Sequence, residues 1–240
     1  MKGIVVSASA KVNLCLRVLG RRSDGYHEVQ TVLHTVGIWD TLRLSPLPGE
    51  RRIALTVNVP EVPADESNLC WRAAHLLAER AGTPHGVRID LEKCIPAGAG
   101  MGGGSSDAAA TLAGLSRMWE LDLDPAELEG IGAELGADVP FFLRGGCCLA
   151  RGRGEKLEDL AAVDAWLVVV VPERRVPTAQ AYAALGRGAT RGRRRPLTRA
   201  IQRVVNASAE GDIHALAAAL HNDFETLEML GIADAREAKS

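Results

Sequence analysis

The chain has 240 residues, of which 47% are hydrophobic and 24% charged; this length allows one large domain or two modest lobes, burying roughly 70–75% of the unfolded surface without disulfides or a structural metal. The composition excludes disorder as the main state, and 28 Lys and Arg against 30 Asp and Glu, a net charge of −2, argue against a whole-surface basic field for nucleic acid. Aromatic residues make up only 4%, so the core is expected to be built from Ala, Val, Leu and Ile.

Ile4, Val5 and Val6, followed by Ser7, Ala8, Ser9 and Ala10, imitate a secretion signal, but the apolar part falls short of the roughly 7–15 residues one needs. The longest strongly apolar stretch, 165–171, is far below the roughly 20 residues of a membrane span. A cytoplasmic chain with no membrane partner is the expectation. Residues 10–19 alternate, with Val12, Leu14, Leu16 and Val18 on one face and Lys11, Asn13, Cys15 and Arg17 on the other. That is the pattern of a strand half-buried on its even face. Arg22, Ser23, Asp24 and Gly25 read as a turn. Further strands are expected at 29–36, 41–44, 53–59 and 87–91, with a helix over 69–80 between the last two, capped by Ser67 or Asn68. A second helix is expected from near Ser105, burying Ala108, Leu112, Leu115 and Trp119. A third starts at the capping box of Asp124, Pro125 and Glu127 and ends near Gly136.

After Glu155 the pattern shifts. Residues 166–171 read as a fully buried strand, 177–185 as the start of a helix, and 197–230 as helical. Between them, 186–196 carries five arginines, either a solvated loop or a contact for phosphate or nucleic acid. The five cysteines (Cys15, Cys70, Cys94, Cys147 and Cys148) are odd in number and lack CxxC spacing, so all are expected to be small buried hydrophobes rather than a disulfide framework or a zinc site. No internal repeat occurs. The sum is an α+β chain with a boundary near 155–160, in which several strands precede the first strong helix and a regular βαβ winding is disfavoured.

The most informative stretch is Pro96, Ala97, Gly98, Ala99, Gly100, Met101, Gly102, Gly103, Gly104, Ser105 and Ser106, with five glycines in seven residues leading straight into a helix. Backbone without Cβ atoms can turn its N–H groups inward onto an anion, and a helix start behind it adds unpaired N–H groups and a positive dipole end. Ser105 and Ser106 could cap the helix or bind phosphate or a metal-bound water. A flexible linker would not run directly into a patterned amphipathic helix. The loop has no Lys where a Walker loop needs one. Its Gly98, Gly100 and Gly103 match a dinucleotide fingerprint formally, but the acidic candidates Glu120, Asp122 and Asp124 lie between two helices. The HRD and DFG tripeptides of protein kinases are absent.

The segment 96–112, following a strand, resembles the phosphate loop of the GHMP kinases. The blocks 10–14, 20–31, 135–142 and 152–157 are similar, in the same order over about 160 residues, to one branch of that superfamily. Its members transfer the γ-phosphate of ATP to the 2-hydroxyl of a cytidine-diphosphate-linked methylerythritol, in the non-mevalonate route to isoprenoid precursors. The resemblance implies a two-lobed α+β fold, with an N-terminal ribosomal-protein-S5-like lobe over 1–158 holding the phosphate loop. A C-terminal ferredoxin-like α/β-plait lobe over 159–240 would lack its last elements, because a Ser-Gly-Ser-Gly-type motif of the family has no counterpart here. It also implies catalytic Lys11 and Asp138, ATP on residues 96–106, Mg²⁺ with unassigned ligands, and a small-molecule substrate held by Asn13, Tyr26, His27, Thr178 and Tyr182. Taken without the resemblance, Lys11 is a surface or cleft lysine, Asp138 a turn former, and Tyr26 with His27 a surface hairpin pair. A truncated nucleotide-binding protein without turnover is the alternative reading.

Overall fold

The computed structural model describes residues 1–47, 49, 51–83, 85–171, 178–186, 188–189 and 196–226. The arginines of the 186–196 segment lie outside them. The chain divides into two compact units, one of Met1–Lys11, Thr35–Ala97 and Met101–Gly145, the other of Val12–His34, Gly98–Gly100 and the described residues from Gly146 onward. The first two strands, β1 (Ile4–Arg21) and β2 (His27–Leu47), contribute to both. The stretches expected at 29–36 and 41–44 are thus parts of a single strand.

In the first unit the C-terminal part of β2 pairs antiparallel with β4 (Gly86–Glu92), which runs parallel to β3 (Ile53–Val57). Four helices pack here: α1 (Leu69–Ala81), α2 (Gly103–Met118), α3 (Pro125–Leu135) and α4 (Val139–Arg144). Asn68, not Ser67, caps α1, its side chain accepting from the Cys70 N–H at 2.8 Å. Asp124 and Glu127 close the expected capping box on α3. The core gathers Leu42, Leu44, Leu77, Ile89, Leu112 and Leu115, all essentially without solvent exposure. Ala73, Ala74, Ala108 and Ala109 let the helices α1 and α2 approach closely.

In the second unit the N-terminal part of β2 pairs antiparallel with β5 (Cys147–Gly152), and β5 with β6 (Lys156–Leu160). Three helices follow, α5 (Thr178–Ala184), α6 (Arg199–Glu210) and α7 (Ile213–Ala219), then the two-residue strand β7 (His221–Asn222) parallel to β1 and a 3-10 turn over Asp223–Thr226. Buried Asp223 accepts the Val18 N–H at 2.8 Å, fixing that return. The helical pattern over 197–230 therefore resolves into two helices interrupted by Gly211, which takes φ 66°; residues 227–230 lie outside the described part.

Three sequence expectations are corrected. Residues 166–171 form no strand: Trp166 is 103% and Val168 94% exposed. An apolar run becomes a strand only where a neighbour pairs with its backbone, and the described residues supply none. β1 is covered on both faces, because Lys11 and Cys15 of its expected open face are buried. Cys94 is exposed, unlike the other four cysteines, because the turn that carries it presents its N–H inward to Asp40. No helix among the described residues is long and apolar enough to cross a membrane.

Leu112→Ala should cost about 2–5 kcal/mol, the range for an unrelaxed core cavity, whereas Asn68→Ala removes one cap and should cost about 1 kcal/mol. Urea denaturation of both variants checks the order.

Candidate functional site

The glycine loop ends in a helix that starts two residues earlier than its sequence pattern indicates. Gly102 is the N-cap of α2, with φ 73°, and makes no side-chain capping bond. Ser105 and Ser106 thus stand inside the helix rather than capping it. Ser106 is buried and its N–H reaches Gly102 O at 2.9 Å. The first turn keeps its N–H groups free of any side-chain cap, which is the arrangement an anion needs. Gly98, Gly100 and Gly102 all hold positive φ, 73°, 72° and 73°, a spacing of left-handed residues from which anion-binding nests are made. Pro96, Ala97 and Ala99 are half-buried, Gly104 is exposed, and Met101 is buried.

Lys11 approaches this loop end directly. Its backbone N–H donates to Met101 O at 3.0 Å, and a Cβ on Gly102 would lie 2.6 Å from Phe142 Cζ and 3.2 Å from Lys11 Cγ. Only glycine fits there. The Lys11 ammonium stands 3.8 Å from the Asp138 carboxylate, the lysine side chain 8% and the aspartate 36% exposed. Burial pushes the lysine below its ordinary range, and Asp138 opposes that shift. Asp138 precedes α4, which lies close to α3 at Gly132, where a Cβ would meet Val139 Cγ1 at 2.9 Å. The structure therefore brings Lys11, Asp138 and residues 101–106 together in one unit.

Beside them lies a charged group that sequence reasoning missed. Lys93, its side chain 6% exposed, bonds Asp40 through a short contact and Asp107 at 2.6 Å. Asp40 also accepts the N–H groups of Cys94 and Ile95, at 2.6 and 2.7 Å. One cation faces two buried carboxylates, one negative charge in excess. Burial pushes the Asp107 carboxyl up to about 7; Lys93 opposes this and Asp40 adds to it. Lys93 itself loses from burial but is held above its ordinary range by the two carboxylates. Among the described residues, the buried Asp107 Oδ1 finds no hydrogen-bond partner.

A carboxyl raised from 3.8 to about 7 binds a proton in the folded chain where the unfolded chain has lost it. Its contribution to stability is complete below the unfolded value and declines as pH rises through about 7. Asp107→Asn should therefore remove part of the loss of stability between about pH 4 and about pH 7. Urea denaturation at several pH values measures this, and parallel profiles for the two proteins would refute it.

The second unit carries an aromatic group. His27 and Tyr182 stack with centroids 4.9 Å apart and planes at 25°, and Tyr182 meets Phe224 edge-on at 5.0 Å. Burial, then Arg21, lowers the His27 pKa. Tyr26 is 58% exposed, with the Arg153 guanidinium 5.0 Å above its ring. Tyr182 thus lies against His27, and Tyr26 against Arg153. Asn13 donates to Thr31 Oγ1 at 2.8 Å. Thr178 opens α5, but its side chain lies outside what the structure describes. Arg153 and Phe224 are the participants missed from sequence; the arginine's place on Tyr26 depends on a turn that no periodicity announces.

Residues 68–146 match the family described as the GHMP kinases N terminal domain. A 4-diphosphocytidyl-2-C-methyl-D-erythritol kinase of Burkholderia lata is 48% identical over 176 residues, 73% of this chain and 59% of that protein. The chain thus spans about three fifths of that relative's length. The kinase of the same name from Alkaliphilus metalliredigens is 39% identical over 240 residues, all of this chain and 80% of the relative. A crystal structure of 4-(cytidine 5'-diphospho)-2C-methyl-D-erythritol kinase superposes with a TM-score of 0.74 at 36% identity, covering 98% of this chain and 81% of that one. The expected fold is therefore present, and the chain belongs to the 4-diphosphocytidyl-2-C-methyl-D-erythritol kinase family of the GHMP kinases.

Proposed function

We propose that this chain is a cytoplasmic small-molecule kinase that transfers the γ-phosphate of ATP to the 2-hydroxyl of 4-diphosphocytidyl-2-C-methyl-D-erythritol, in the supply of isoprenoid precursors. The carrying observation is the uncapped start of α2 behind three left-handed glycines, with the Lys11–Asp138 pair beside it. Residues 96–106 hold the triphosphate through backbone N–H groups, adding the Ser105 hydroxyl. Among the described residues no three His, Cys, Asp or Glu side chains cluster as a metal cage. Mg²⁺, which keeps much of its shell as water and substrate phosphate, would then arrive on the nucleotide and offset its charge.

Asp138 orients the substrate hydroxyl and accepts its proton, while the Lys11 ammonium steadies the carboxylate and the charge that develops on the transferred group. Because phosphoryl transfer is largely dissociative, the proton leaves late and positioning dominates. Partial exposure of Asp138 leaves it open to an incoming alcohol; burial of Lys11 strengthens its electrostatic effect. The cytidine end is assigned to the second unit, with Tyr26 and Tyr182 as flat faces, His27 reading the base edge, and Asn13 and Thr178 supplying polar contacts. The functional division proposed is an N-terminal lobe over 1–158 that carries the phosphate loop together with Asn13, Tyr26 and His27, and a second lobe from 159 that carries Thr178 and Tyr182.

ADP release from ATP and Mg²⁺, with and without the diphosphocytidyl substrate, tests the reading. Substrate-dependent release should fall by about 10²–10⁴ in Asp138→Asn, the range for a lost general base, with ATP affinity near that of the unaltered chain. Substrate-independent release, or none at all, would refute the activity. Weak ATP binding in the variant would refute the role given to Asp138.

A further inference from the structure

A glycine loop gains backbone freedom at the expense of order. Between Ile95 and Gly103 the chain contains Gly98, Gly100 and Gly102, each of which loses more conformational entropy on fixing than any other residue. A cradle for phosphate must nevertheless be in place before the ligand arrives, or part of the binding free energy goes into ordering it. The cost of closing such a loop depends on how firmly its two ends are held.

Both ends of this loop converge on Lys93. On the entry side, Asp40 accepts the backbone N–H groups of Cys94 and Ile95 and is bonded by the Lys93 ammonium. On the exit side, Lys93 bonds Asp107, at the start of the second turn of α2, at 2.6 Å. The ammonium also lies against the first helical residue, where a Cβ on Gly103 would sit 3.0 Å from Lys93 Nζ and 3.2 Å from Ile95 Cγ2. Asp40 is wholly buried and Asp107 is 2% exposed. A mobile surface ion pair is worth little. This one has few alternative arrangements, because releasing either carboxylate would leave a charge uncompensated in the interior.

We propose that Lys93 and Asp107 are positioning residues for the nucleotide: the Asp40–Lys93–Asp107 chain clamps the two ends of the glycine loop and presets the N–H groups that receive the triphosphate. The inference rests on the kinase reading above and adds to it a determinant of ATP affinity outside the loop itself. In this reading both residues act by holding the loop rather than as part of it. Their effect passes through loop geometry, where displacement of the order of an ångström is enough to weaken a multidentate contact.

Lys93→Met would strand two buried carboxylates and would be expected to unfold the chain, so the informative variants lie at Asp107. Asp107→Ala cuts only the exit arm and leaves Lys93 and Asp40 as a balanced pair. Asp107→Asn restores an acceptor for the ammonium. Titration calorimetry of the 240-residue chain with ATP and Mg²⁺ should show affinity falling on the order of tenfold in Asp107→Ala and recovering most of that in Asp107→Asn. Affinity for 4-diphosphocytidyl-2-C-methyl-D-erythritol should change little in either. Equal ATP affinity in Asp107→Ala and the unaltered chain, no recovery in Asp107→Asn, or a matching loss for the diphosphocytidyl ligand would each overturn the clamp. If the unaltered chain binds the diphosphocytidyl ligand but not ATP, the nucleotide reading itself fails, and the clamp with it.

Discussion

The close approach of chain at Gly102 is the constraint on which the phosphate end depends. A side chain there would run into the Phe142 ring and the Lys11 stem together, so one residue's lack of a Cβ sets where strand, helix and ring meet. The Lys11 N–H bonded to Met101 O holds the strand at the same point. The helix start next to this contact has no side-chain cap on its N–H groups.

Two buried lysines in the same unit shift in opposite directions, according to the balance of burial against nearby carboxylates. At Lys11 the Asp138 carboxylate is 3.8 Å away and burial prevails, lowering the pKa. Lys93 has two carboxylates in direct contact and they prevail, raising it. At Lys11 the Asp138 carboxylate stands at the long end of ion-pair contact. At Lys93 the contacts are direct and buried, which suits a structural link rather than a reacting one.

Much of this was legible in the sequence where a local rule acts alone. The capping box at Asp124, the α1 cap narrowed to Ser67 or Asn68, the strand over residues 10–19 (though not its burial on both faces) and the glycine run before an apolar-patterned helix each rest on neighbours a few residues away. Lys11, Asp138 and the residues proposed for the cytidine end are legible only through family resemblance, since an isolated strand lysine and a turn aspartate look ordinary. What the sequence hid is long-range. Asp40, Lys93 and Asp107 come from a strand, a loop and a helix, 53 residues separating Asp40 from Lys93 and 14 separating Lys93 from Asp107. Arg153 reaches Tyr26 from far along the chain. The apolar run at 166–171 misled for the converse reason: its composition is that of a buried strand, and burial depends on partners that composition does not contain.

That run has a consequence for how the molecule behaves in concentrated solution. Trp166, Leu167, Val168, Val169 and Val170 form an uncharged, proline-free stretch of strong β formers standing in water. Such a segment is a ready template for adding strands from other copies of itself. With a formal net charge of only −2, overall repulsion between copies is weak, and these five exposed apolar residues lie far in sequence from the glycine loop. A charge placed at Val168, whose side chain is almost fully exposed, would act on self-association without touching the groups assigned to phosphate transfer.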